Sequence, residues 1–258
     1  MPTPPLAYTL TANSTLTEDF IHSDSILASA TASTALATFL NSKGQSEALV
    51  TYEDGELCHL QREPLSSSGW NFCGIGAVIE SIAAANSGSV WITDKAQGIW
   101  MSNAGHWNFI STFPGGEPSL SVGTNGAVYG LVNQNHNYHL YIFDPVSRSF
   151  DDHGIVPITL APVGKPDSLW SIAGGKLFTN QYGSWHEVYA PFESGDVPSR
   201  VSIGADDSIW ILCGNGSIYS YDPPSVTCKK LEHVPSDIVS FGAVSARILY
   251  VLTFNSRE

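Results

Sequence analysis

Three features of the sequence predict an all-β fold, a six-bladed β-propeller built of four-stranded antiparallel blades. A mark recurs: Val50, Trp91, Tyr129, Trp170, Trp210 and Tyr250 stand 41, 38, 41, 40 and 40 residues apart. Each mark ends a short apolar run, such as Ser89-Val90-Trp91 or Ser208-Ile209-Trp210, rich in the β-branched and aromatic residues of strands. Each interval holds several such runs between turn residues, and a period of about 40 with several strands per unit is the pattern of a propeller blade. Six marks give six blades, and residues 1–258 read as one domain.

The unit at 200–231 shows the plan most clearly. Arg200 to Gly204 reads as an inner strand, Ala205-Asp206-Asp207 as a turn, and Ser208 to Cys213 as the second strand. Gly214-Asn215-Gly216 signals a tight hairpin into a third strand, Ser217 to Tyr221. Asp222-Pro223-Pro224 ends that strand, and an outer strand follows from Thr227 to Leu231. Elsewhere third strands are marked by Leu57-Cys58, Ile99-Trp100, Leu140-Tyr141 and Leu177-Phe178, and fourth strands by Trp70, Trp107, Phe150 and Trp185. Inner strands recur as Ser81-Ile82-Ala83, Ser121-Val122-Gly123 and Ser202-Ile203-Gly204, small residues suiting a crowded axis.

The last unit is short, with eight residues after Tyr250. Two N-terminal runs, Leu6 to Thr11 and Thr15 to Ile21, are the candidates to complete it. The ring then closes with both termini in one blade, which covers sheet edges that would otherwise invite aggregation.

Composition narrows the partners. Lys+Arg number 11 and Asp+Glu 24, a formal charge of −13 that argues against nucleic acid and against an anionic membrane surface. No stretch approaches the ~18 apolar residues of a membrane span. The N-terminus lacks the basic and apolar segments of a signal peptide, so the expected location is cytoplasmic, or outside by release without a recognisable signal. Cys58, Cys73, Cys213 and Cys228 are spaced too widely for a C-x-x-C motif and read as free buried thiols, although either pair within a blade could meet.

The repeated [Ser/Ala]-[Val/Ile/Leu]-[Trp/Tyr] followed by Gly-x-[Ile/Leu]-[Trp/Tyr/Phe], as in Ser208-Ile209-Trp210 and Gly216-Ser217-Ile218-Tyr219, resembles tectonin-type propellers and, more loosely, the small six-bladed fungal lectins. The resemblance covers most of the chain and implies a carbohydrate-binding role. Fucose-binding propellers repeat an Arg, a Glu and an aromatic in successive blades. Here third strands carry Cys58-His59-Leu60-Gln61, Trp100-Met101-Ser102 and Phe178-Thr179-Asn180-Gln181, with no recurring triad, so a single site or a few unlike sites are expected.

Repeated aromatics at equivalent positions, Trp91, Trp170 and Trp210, read as packing between blades. The irregular aromatics Trp100, Trp107, Tyr138, Tyr182 and Trp185 are candidates for stacking on a ligand. The segment Asn133 to Tyr138 with His139 reads as the longest hairpin loop, rich in amides and imidazoles that suit hydroxyl-bearing ligands, so His136, Tyr138 and His139 join the candidates. His136 and His139 have no evident third ligand, and no metal site is expected.

Two charges break the inner-strand pattern. With the inner strands aligned on Ala30, Ile82, Val122, Val163, Ile203 and Ala243, Glu80 is the lone ionisable group two residues earlier and Arg200 the lone one three residues earlier. They fall three blades apart, on opposite sides of a central channel, as candidate catalytic residues if the protein is an enzyme; local satisfaction between blades is the alternative. Two functions follow. One is a lectin-like binder of a glycan or other small molecule. The other is an enzyme needing no cofactor (a cyclase, isomerase or pericyclase) acting on an apolar metabolite in one funnel, with Glu80 as acid or base and Arg200 stabilising negative charge. A protein-interaction scaffold ranks below both, and the oligomeric state is left open.

Overall fold

A computed structural model describes residues 6–12, 20–27, 33–40, 46–52, 57–61, 70–72, 78–84, 89–103, 106–116, 118–181, 183–232, 234 and 238–253. All regular structure among them is β-strand. The chain opens with β1 (Leu6–Ala12) and β2 (Phe20–Leu27), then β3 (Ser33–Leu40), β4 (Ser46–Tyr52), β5 (Leu57–Gln61) and β6 (Trp70–Phe72). Next come β7 (Ile79–Ala84), β8 (Val90–Asp94), β9 (Gly98–Asn103) and β10 (His106–Thr112). The following unit is β11 (Ser119–Val122), β12 (Val128–Gln134), β13 (Asn137–Asp144) and β14 (Ser149–Val156). It leads to β15 (Val163–Lys165), β16 (Ser168–Ala173), β17 (Lys176–Gln181) and β18 (Ser184–Val188). The chain ends with β19 (Pro198–Ile203), β20 (Ile209–Cys213), β21 (Ile218–Asp222), β22 (Thr227–Lys230), β23 (Ile238–Ser245) and β24 (Ile248–Thr253).

The strands form four-stranded antiparallel sheets arranged as a propeller. From β3 to β22 each group of four consecutive strands is one meander, and the remaining strands pair in the order β2-β1-β24-β23. The N-terminal β1 thus lies against β24, with Thr9 opposite Tyr250. The first N-terminal run falls where the sequence puts it. A second N-terminal strand joins it, described as β2 from Phe20 to Leu27 and so further along than the expected run; residues 13–19 lie outside the described ones.

The first inner strand is also displaced. The alignment on Ala30 puts it around residues 28–30, which lie outside the described residues, whereas β3 runs from Ser33 to Leu40. The stretch from Ala28 to Thr38 is all Ala, Ser and Thr except Leu36, so little in it fixes a register. Registers shift elsewhere too. The residues opposite the marks are Leu36, Ala83, Ser121, Val163, Ser202 and Gly242, so the aligned column is off by one residue in most units. Bulges in β3, β7, β19 and β23 add a residue that a fixed period cannot show.

Inner strands crowd. Each touches the inner strand of the next sheet, from β3 through β7, β11, β15 and β19 to β23, and β23 touches β3. Hydroxyls clasp these contacts. Ser81 Oγ accepts from Leu120 N at 3.1 Å, Ser202 Oγ accepts from Ala243 N at 2.9 Å, and Thr38 Oγ1 donates to the Ala243 carbonyl at 3.3 Å. Ser121 Oγ donates to the Pro162 carbonyl. Where strands meet most closely only glycine fits: a Cβ on Gly123 would stand 2.1 Å from the Gly164 carbonyl oxygen, and one on Gly204 would stand 2.7 Å from Ser245 Cα.

Further out the sheets diverge, and large side chains fill the wedge. Trp91, Trp170, Trp210, Tyr129 and Tyr250 are all at most 5% exposed. Trp91 packs with Leu120, Val128 and Phe150 of the next sheet, and Trp210 with Phe241 and Leu249. The packing role expected for the repeated aromatics therefore holds.

One surface segment is pinned by charge. The Asp196 carboxylate accepts hydrogen bonds from Tyr219 and Asn215 and pairs with Lys230 at 3.1 Å, fastening residues 189–197 to β21 and β22. Chiefly through the Tyr219 hydroxyl, its pKa is held down at about 2.

Two stability predictions follow. Gly123→Ala, which drives a methyl into backbone, lowers stability by about 1–3 kcal/mol, whereas Gly214→Ala, with 3.9 Å to its nearest neighbour, stays within about 0.5 kcal/mol in urea titrations. Because the folded pKa of Asp196 lies below the ordinary carboxylate value of about 3.9, its contribution is complete above that pH. It is lost as pH falls from there through about 2. Asp196→Asn lowers the melting temperature at pH 7 and narrows the gap between mutant and wild type toward pH 2, measured by calorimetry.

Candidate axial site

The inner strands surround a cavity of about 770 Å³ on the axis. Small and apolar side chains make most of its wall, among them Ala37, Ala83, Val122, Leu160, Val201 and Phe241. The hydroxyls of Thr38, Ser81, Ser121 and Ser202 reach the same wall but are engaged in the clasps between strands.

Among the described residues three charged side chains line it: Glu80, Lys95 and Arg200. Glu80 is the extra residue of the β7 bulge, between Ile79 opposite Asp94 and Ser81 opposite Thr93. Arg200 directly follows the bulge of β19 and stands opposite Leu212. Bulges re-aim side chains, and here each lies beside a charge. The inner strands β11 and β15 intervene between β7 and β19. Both side chains are accessible to solvent within the cavity. Among the described residues neither has a hydrogen-bond or ion-pair partner, nor do they pair with each other. The surrounding strands strip water from Arg200 and lower its pKa.

Lys95 was not singled out by sequence reasoning. It lies in the turn between β8 and β9, and its backbone N donates to the Val78 carbonyl at 3.1 Å, which brings the turn to the start of β7. A period read along the inner strands carries no sign of a turn residue beside them.

The rim candidates are largely taken up by the scaffold. Trp100 Nε1 donates to Asp94 Oδ2 at 2.8 Å, and its ring meets Phe109 edge-on with centroids 5.2 Å apart. The same buried carboxylate accepts from Ala96 N and Gly98 N at 2.8 Å each. Trp107 packs against the cluster of Ala37, Leu49, Ile79 and Ile92. Tyr138 and Trp185 pack against that of Tyr129, Leu131 and Leu140. Tyr182 lies outside the described residues.

The amide-rich segment is not a long loop. β12 and β13 extend through it and are joined by Asn135-His136, both with positive φ (53° and 67°). That is the conformation of a two-residue type I′ turn, which asparagine tolerates well. Asn133 Oδ1 accepts from His136 N at 3.0 Å. His139 Nδ1 lies 3.1 Å from the Asp152 carboxylate. Thus His136 and His139 sit on one hairpin, away from the axial cavity lining.

Among the described residues no three His, Cys, Asp or Glu side chains gather as a metal site. Cys213 and Cys228 are unbonded, and burial pushes their pKa values up to about 12 and about 11. Cys73 lies outside the described residues.

No protein-family model matches the sequence, and no curated protein matches it. Solved structures do match in shape. A putative TolB from Agrobacterium tumefaciens aligns with TM-score 0.70 at 11% identity, over 98% of this chain and 99% of that one. A gluconolactonase from Xanthomonas campestris aligns with TM-score 0.63 at 13% identity, over 98% of each. A catalytically inactive virginiamycin B lyase from Staphylococcus aureus, solved with quinupristin, aligns with TM-score 0.56 at 15% identity, over 97% of this chain and 96% of that one. At these identities the likeness is one of fold.

Asp94→Ala leaves the Trp100 indole N–H and two turn amides without their acceptor. It costs about 1–3 kcal/mol in urea unfolding.

Proposed function

We propose that this chain is a six-bladed propeller of one domain, closed by the pairing of β1 with β24, that binds one small organic molecule in its axial cavity. The observation that carries the reading is the pair of unlike charges, Glu80 and Arg200, both lining one cavity and, among the described residues, both without a partner. A cavity of this size lies in the range of small-molecule sites, about 300–1,000 Å³. A wall that differs strand by strand suits one oriented ligand rather than several equivalent ones.

A lectin with repeated rim sites finds less support. The aromatics it would use, Trp100, Trp107, Tyr138 and Trp185, have roles in packing or hydrogen bonding. A carbohydrate in the axial cavity falls within the proposal. So does catalysis without a cofactor, which the same pair favours: a carboxylate can move a proton while a guanidinium in the same lining stabilises developing negative charge. Two of the similarly folded proteins bear enzyme names, but a shared fold does not transfer an activity.

Ser119→Trp tests the site. Ser119 is exposed and lines the cavity at the start of β11, so an indole there fills space without entering the core. In ligand-observed NMR with a panel of mono- and disaccharides and small metabolites, the variant loses the binding seen with wild type at unchanged melting temperature. Binding that survives the substitution puts the ligand on the rim and overturns the axial reading.

A further inference from the structure

We propose that the ligand of the axial cavity is a small organic acid, its carboxylate gripped by Arg200 and its hydroxyl or amine donors received by Glu80. The inference rests on the axial-site reading and gives it a ligand class.

Arg200 is the starting point. A guanidinium keeps its charge and presents a fork of donors that matches two carboxylate oxygens. In this protein acids outnumber bases, 24 to 11, so a cation finds an acid easily. Lys165 pairs with Asp207, Lys176 with Glu187, and Lys230 with Glu193 and Asp196, all near the surface. Arg200 stands in a walled cavity and, among the described residues, has no such partner. Protein atoms have displaced part of its water, so an anion that reaches it meets weaker competition from solvent.

The rest of the lining fixes what else the molecule carries. Among the described lining residues, Lys95 and Arg200 against Glu80 leave one positive charge in excess, inside a chain of −13. That balance favours a monoanion. A second negative charge on the ligand would extend toward Glu80 and be repelled, whereas a hydroxyl or ammonium there donates to the carboxylate. Apolar side chains in the lining, Leu160 and Val201 among them, accommodate a carbon body of modest size beside its polar surface.

The test compares acids with neutral molecules of the same shape. Glucuronate against glucose, and benzoate against benzamide, are titrated calorimetrically into wild type, Arg200→Gln and Arg200→Lys. In parallel, phenylglyoxal labelling of Arg200 and of the exposed Arg148 is followed by peptide mass spectrometry with and without each acid. The expected result is that at least one acid binds and slows labelling at Arg200 but not at Arg148. Arg200→Gln weakens that acid by about ten- to a hundredfold, and Arg200→Lys recovers part of the loss. Glu80→Gln reduces the preference for glucuronate over the dianion glucarate. If neither acid protects Arg200, or if Arg200→Gln leaves acid affinity unchanged, the organic-acid proposal fails. Glucose bound in wild type and lost in Ser119→Trp, with Arg200 irrelevant, keeps the axial site and overturns only its ligand class. Binding indifferent to Ser119→Trp overturns both.

Discussion

Crowding of inner strands at the axis is the constraint from which the rest of the structure follows. Where β11 meets β15, and β19 meets β23, backbone lies so close to Gly123 and Gly204 that no side chain fits. Strands this near could leave buried amides and carbonyls unpaired, so Ser81, Ser121, Ser202 and Thr38 supply hydroxyls to the neighbouring backbone. The same geometry forces the sheets apart with distance from the axis. The widening gap is closed by Trp91, Tyr129, Trp170, Trp210 and Tyr250, each set one strand out from the crowded one. Small residues within and large ones without are two sides of one taper.

That taper limits the chemistry available on the axis. Glycine and alanine offer no functional group, and most wall hydroxyls are committed to clasps. The cavity is left with a few residues whose side chains escape the register. Glu80 lies in a bulge and Arg200 beside one, while Lys95 arrives from a turn. The charges that reach the cavity therefore coincide with irregularities in the sheets.

The repeat made the architecture legible. A large residue every 38 to 41 positions can be read without knowing which strand pairs with which, and the hairpin at Gly214-Asn215-Gly216 announces itself. Glu80 and Arg200 were also legible, as charges where other blades carry none, and both line the cavity. What the period hid was register. A bulge adds a residue without changing composition, so the column through Ile82, Val122 and Ile203 slipped against the true pairing. The first inner strand was lost in a stretch of Ala, Ser and Thr with no mark to anchor it. Composition also misled at Asn133 to His139, where polar residues suggested a loop although they extend two strands around a two-residue turn. Trp100 looked free because the Asp94 that binds its indole stands at the end of the preceding strand, a local hydrogen bond that no repeat encodes.

The two charges on the axis are best understood through what the scaffold does with its others. At Asp196 a carboxylate is surrounded by donors from Tyr219, Asn215 and Lys230, and at Asp94 by an indole and two amides. The fold readily satisfies a charge where structure needs it. Among the described residues Arg200 receives no such partner, and Glu80, the one carboxylate described in the same lining, does not pair with it. A cation facing a cavity without a paired carboxylate costs stability through lost hydration. A cost of that kind, held open against an excess of available acids, has a physical return when the missing anion comes from outside the chain.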